Sequence, residues 1–184
     1  EFLVAAISVV DTVMNIAFII FGGLSSAVAI MIGNKLGANE LEEARENSLK
    51  LIVFGAMVAV VISAILISFS GLIPKIYNLE PEINQAITTM LCIKSLMIPF
   101  YVINVCIFFV LRAGGDAAST LMMDSGFLWG ASVLFSTLLS IFTPIPLIPL
   151  YAIIESLDIF KLFVASYFYR KGHWVRNMTL EVEA

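Results

Sequence analysis

The sequence predicts an all-α polytopic membrane protein, a transmembrane helix bundle of about five membrane-spanning helices. Three observations carry this. Of the 184 residues, 60% are apolar and only 13% charged, against about 25% charged in an ordinary soluble domain, and the mean hydropathy is +1.01. The charges are gathered into short stretches between long apolar runs. Five of those runs approach or exceed the roughly 20 helical residues that cross a hydrocarbon core of about 30 Å. The dyad alternation of an outer-membrane barrel is absent, and backbone facing lipid must satisfy its own hydrogen bonds, so the runs are read as helices.

The expected spans are Phe2 to Ile32, Leu49 to Ile73, Ile83 to Leu111, Ala118 to Phe142 and Ile145 to Phe168, with 171–184 as a tail. Between the first two lie Gly33-Asn34-Lys35 and the charged run Glu40 to Glu46. Gly33 and Gly37 suit a helix end and a tight reversal, and Asn39 or Glu40 is placed to open a short amphipathic surface helix. A Gly-x-x-x-Gly packing face is the other reading of Gly33 and Gly37. Pro74-Lys75, then Arg112-Ala113-Gly114-Gly115-Asp116, then Thr143-Pro144 mark the remaining boundaries. The chain opens inside an apolar run without a basic n-region, so a preceding part of a longer polypeptide is expected.

Charge sets the orientation, because Lys and Arg accumulate in cytoplasmic loops. The first loop, the third loop and the tail hold Lys35, Arg45, Lys50, Arg112, Arg170, Lys171 and Arg176, whereas the other side holds Lys75 alone. The expected location is the cell (inner) membrane, multi-pass, with the C-terminus cytoplasmic.

Polar groups inside a span are costly and normally face a cavity or a partner. Ser8, Asp11, Thr12 and Asn15 share one face of the first span, which should point into protein or a watery cleft. That face is either a wall of a substrate or cation path or a hydrogen-bonding surface for a preceding helix. Asp11 and Lys94 fall at similar depth in the outer half and are expected to pair, since an unpaired charge there must snorkel or change protonation. Thr88, Cys92, Ser95 and Pro99 form a stripe on the third span, with Pro99 freeing the carbonyl near Ser95; close packing and cavity lining both remain open. Arg112, Asp116 and Asp124 read as a charge-and-turn latch around Gly114 and Gly115. Glu155, Asp158 and Lys161 occupy neighbouring turns of the last span, Asp158 and Lys161 at i,i+3 spacing. Cys92 and Cys106 lie about 21 Å apart along one helix, too far for a disulfide.

Several segments together point to a family. Gly22-Gly23-Leu24-Ser25-Ser26-Ala27 runs into Gly33-Asn34-Lys35-Leu36-Gly37-Ala38 and an acidic Glu42-Glu43-Ala44-Arg45 segment. This resembles the second helix of a lobe of multidrug and toxin extrusion (MATE) transporters and the loop after it. Phe109-Val110-Leu111-Arg112-Ala113-Gly114-Gly115-Asp116 resembles the close of that family's tenth helix. Lys171-Gly172-His173-Trp174 resembles the end of some bacterial members. The resemblance implies a twelve-helix, two-lobe secondary antiporter that exports amphipathic, often cationic compounds for Na⁺ or H⁺, with helices eight to twelve present here and an N-terminal lobe as partner. The recurrent carboxylate of the tenth helix has no counterpart, its neighbourhood holding Tyr101 and Asn104. Asp11, Thr12, Asn15, Lys94 and Asn104 are the candidates for a substrate or cation path.

Other classes are disfavoured. The only histidine is His173, in the tail, so no His-based metal site, Ser-His dyad or other intramembrane enzyme of that kind can be assembled. No cofactor is expected beyond a coupling ion. The basic residues form no aromatic-interleaved patch, which removes nucleic acid as a partner and leaves an amphipathic solute and the lipid bilayer. A lipid-linked saccharide flippase of the same superfamily and a passive membrane scaffold are the alternatives.

Overall fold

The computed structural model describes residues 2–77, 80–142 and 145–177, and these contain helices and turns without a strand. Helix α1 is Phe2–Gly37, α2 Leu41–Phe69, α3 the single turn Ile73–Ile76 and α4 Pro81–Ala113. Helix α5 runs Ala117–Phe142 and α6 Leu147–Lys171. Four of the five expected spans, α1, α2, α4 and α5, are long and apolar enough to cross a membrane. Helix α6 has 25 residues, about 37 Å at 1.5 Å each, so length suffices. Its Glu155, Asp158 and Lys161 lie within two turns and keep it outside the apolar set.

Helix α4 is the centre. It packs against α1, α2 and α6 and buries Ile87, Met90, Leu91, Ile98, Val102, Val110 and Leu111 against Val10, Met14, Phe21, Val28 and Ile32 of α1. Gly55 of α2 lets three helices meet: a Cβ there would lie 3.1 Å from Cys106 Sγ of α4 and 3.2 Å from Leu24 of α1. Helix α5 is peripheral, with none of its most apolar stretch buried, and it is wound as π-helix over Met122–Gly126 and Leu128–Val133.

The first loop is shorter than expected. Helix α1 continues through Gly33 to Gly37, and α2 starts at Leu41, so the charged run forms the N-cap and about the first two turns of the membrane helix and no separate surface helix forms. The reversal is made by Asn39 at φ 60°, one of the few side chains that accept the left-handed region. Lys35 binds Glu40 and, at 2.7 Å, Glu43, which ties the turn. Gly33 and Gly37 have open space where a Cβ would stand, so within this chain they form no packing face.

The small-residue stripe of α4 packs. Thr88 Oγ1 donates to Asn84 O at 2.8 Å, Cys92 Sγ lies 3.3 Å from Ser70 Oγ, and Ser63 Oγ of α2 donates to Ser95 O at 2.6 Å. The last bond answers Pro99, which has no N–H for the carbonyl four residues before it. Helix α4 therefore passes through Pro99 with that carbonyl capped from outside. Ser63→Ala leaves a buried carbonyl unsatisfied and is expected to cost about 1–3 kcal/mol. Thermal unfolding in detergent checks this; a variant as stable as the parent contradicts the cap.

The segment after α6 is docked rather than free. Gly172, at φ 74°, ends α6, and Trp174 is buried, stacked on Tyr169 at 5.5 Å with its Nε1 donating to Tyr169 O. Arg176 donates to the carbonyls of Gly114 (3.2 Å) and Gly115 (2.8 Å), and Asn177 Nδ2 to Gly37 O (3.3 Å). The first loop, the third loop and the chain after α6 therefore sit at one end of the bundle, in keeping with the charge pattern that groups them. The expected latch is corrected here. Asp116 caps α5, accepting from Ser119 N and Oγ at 3.2 and 2.7 Å. Arg112 is exposed and makes no ion pair among the described residues; Arg176 is the cation that holds the Gly114-Gly115 turn, because that turn faces the tail. Asp124 is exposed and shares a cavity with Arg112. The expected boundary at Thr143-Pro144 and the tail beyond Asn177 lie outside the described residues.

Candidate functional site

Lys94 stands about 20 Å along α4 from Pro81, in the interior of a helix long enough to cross a bilayer. A charge at that depth requires partners, and two other helices supply them. Glu155 of α6 approaches the ammonium to 3.1 Å and Asp11 of α1 to 3.6 Å. The Tyr151 ring, one turn before Glu155, has its centroid 5.8 Å from Lys94 Nζ, within cation–π range. Lys94 and Glu155 side chains are 20% and 16% exposed, whereas Asp11 is 53% exposed. The inner pair is thus the shielded one, and Asp11 stands at its open edge.

Beside this cluster is a cavity of about 250 Å³ bounded by Phe18, Lys94, Met97, Tyr101, Glu155 and Asp158. Phe18 and Tyr101 face each other with centroids 4.9 Å apart. Asn104, one turn below Tyr101, is buried and donates through Nδ2 to Asp158 O at 2.9 Å, which fixes α6 against α4 at the level of the cavity. The site therefore combines three carboxylates, one ammonium and aromatic walls, positioned by three helices.

The expected Asp11–Lys94 pair forms. Asn104 joins the same region through α6, but Thr12 and Asn15 do not. With Ser8, they are exposed on the outer face of α1, where the hydroxyls of Ser8 and Thr12 bond to Val4 O and Ser8 O. Within this chain the apolar residues Val10, Met14 and Ala17 take the inward side, because they are what α4 packs upon, and the polar face is left to the outside. The i,i+3 spacing of Asp158 and Lys161 yields no ion pair among the described residues; Lys161 instead lies 6.0 Å from the Phe127 ring centroid. Sequence reasoning did not match Glu155 to Lys94. The available signal was Tyr151, Glu155 and Asp158 at spacings of four and three, one face of a helix that needs a cationic partner.

A family model described as MatE matches residues 1–135. The chain belongs to the MatE family. It is accordingly a multi-pass membrane protein of the efflux-transporter and flippase type, in agreement with the resemblance carried by the Gly-Asn-Lys-Leu-Gly and Leu-Arg-Ala-Gly-Gly-Asp segments. No curated protein and no solved structure matches the chain. The match covers α1 to α4 and most of α5, so the MatE segment contains Asp11 and Lys94, whereas Glu155 and Asp158 lie beyond it.

Proposed function

We propose that this MatE protein is a secondary active antiporter that exports amphipathic cationic compounds in exchange for Na⁺ or H⁺ by alternating access. In this reading the chain contributes helices eight to twelve of a two-lobe transporter, works with an N-terminal lobe, and lies in the cell membrane with its C-terminus cytoplasmic. The observation that carries it is the cavity between α1, α4 and α6. Carboxylates from two helices converge there at membrane depth beside aromatic rings, a combination suited to a cation with an apolar body. Binding between elements rather than within one also suits alternating access, since relative movement of the helices changes the site.

A lipid-linked saccharide flippase is the competing reading, and Lys94 is the observation in its favour, being a cation in the cavity wall. Three carboxylates around that single ammonium weigh against an anionic headgroup.

The test is gradient-driven drug efflux from cells lacking their own pumps, comparing the parent with Glu155→Gln at equal membrane abundance under imposed Na⁺ or H⁺ gradients. Gradient-dependent efflux is expected to fall about tenfold, within the range of ordinary coupling between two sites. Asp11→Asn should have a smaller effect, because Asp11 is more exposed. Efflux that Glu155→Gln leaves unchanged removes the cavity from the path. An inactive parent that moves a lipid-linked saccharide establishes the flippase.

A further inference from the structure

We propose that Lys94 is a tethered competitor for the transported cation: its ammonium occupies the cation position of the cavity, and a substrate must displace it from Glu155 and Asp11. The inference rests on the antiporter reading and goes beyond it by assigning the release step and the charge selectivity to one side chain.

The geometry is that of an occupied cation subsite. Lys94 Nζ is 3.1 Å from Glu155 Oε1 and 3.6 Å from Asp11 Oδ1, with Tyr151 5.8 Å away. These are the contacts an organic monocation would make: charge-assisted hydrogen bonds or ion pairs on one side and a ring face on the other. The cavity lies directly against this position, with Phe18, Tyr101 and Asp158 as its further walls. A cation entering it comes within reach of Glu155 while the ammonium is still there, and two like charges sharing one carboxylate repel. Lysine is the side chain suited to yielding. Its charge is compact, it ends a flexible four-carbon stem, and its partners stand on α1 and α6 whereas its own backbone is on α4.

Two consequences separate this role from a merely structural ion pair. The return of Lys94 to Glu155 and Asp11 expels the substrate, so removing the ammonium should tighten binding and slow release together. With Lys94 in place, its ammonium offsets one of the three carboxylates; without it, one more negative charge is left to the substrate, and the preference should shift toward more highly charged cations.

The experiment uses the intact protein in detergent and in proteoliposomes, with tetraphenylphosphonium as the probe. Lys94→Met keeps the stem and removes the charge. Its dissociation constant for the probe is expected to fall about tenfold, a change of roughly 1.4 kcal/mol, and kcat and KM for gradient-driven transport fall together. Lys94→Arg retains the charge and the weaker parental affinity. If Lys94→Met does not fold, Lys94→Met/Asp11→Asn restores the charge balance and should bind the probe more tightly than Asp11→Asn alone. Binding that is unchanged or weakened in Lys94→Met, or equally tightened in Lys94→Arg, overturns the tether while parental transport of the probe leaves the antiporter reading standing. A parent that neither binds nor transports the cation overturns both.

Discussion

Replacing Trp174 by Ala is expected to destabilise the protein by about 3–5 kcal/mol, the usual cost of truncating a fully buried Trp. The indole is 1% exposed although it lies beyond the last helix, in a segment read from sequence as a tail. It stacks on Tyr169, whose hydroxyl is 2.7 Å from Ser48 Oγ of α2, and its Nε1–H is satisfied by Tyr169 O. Loss of the indole releases Arg176 from Gly114 and Gly115, and Asn177 from Gly37. The damage should therefore be read at that end of the bundle first. Tryptic cleavage after Lys171 and Arg176 should accelerate in Trp174→Ala, together with a lowered unfolding midpoint in detergent. A variant cleaved no faster than the parent means that the segment is not held by the indole.

Gly114→Ala is the second change with a large expected effect. A Cβ at Gly114 would stand 2.0 Å from Trp174 O, 2.6 Å from its carbonyl carbon and 2.7 Å from its Cα. All three are backbone atoms, so no rotamer change relieves the clash. The backbone angle itself is not the obstacle: Gly114 has φ −83°, open to any residue, whereas Gly115 has φ 69°. The docked segment must lift or the α4–α5 turn must shift, and the loss is bounded by what docking contributes, about 3–5 kcal/mol if Trp174 leaves its site. Gly115→Ala, by contrast, should cost about 1–2 kcal/mol through its left-handed backbone alone. In a Trp129→Phe background the remaining fluorescence reports Trp174, and Gly114→Ala should shift it to the red. Combined with Trp174→Ala, it should cost less than the sum, because both changes undo one contact. An unshifted spectrum at parental stability would show that the backbone does not pass so close.

The long helices were legible because the hydrophobic signal is strong over 25 or more residues and depends little on partners. Their ends were less so. Gly33 looked like a terminator, but glycine permits a turn without requiring one, and α1 passes through it until Asn39 reverses the chain. The Asp11–Lys94 pair was legible from depth, since two opposite intramembrane charges at one level have strong reason to meet. The nearer partner, Glu155, was not, because its approach depends on which face α6 turns toward α4. The exposed position of Thr12 and Asn15 was hidden for a similar reason: a polar stripe does not say whether the neighbouring helix packs on it or on the apolar stripe beside it.

What the sequence by itself determined is the class of the molecule, its helices, the MatE affiliation and the grouping of basic segments at one end. These follow from composition, run length and local motifs, properties of neighbouring residues in the chain. Only the tertiary structure decided that Lys94 stands between Glu155 and Asp11, that Ser63 caps the carbonyl freed by Pro99, and that Trp174 and Arg176 clasp the Gly114-Gly115 turn. Each joins residues 32 to 83 positions apart, and such contacts are set by the rotation and depth of one packed helix against another, which the order of residues along either helix does not specify.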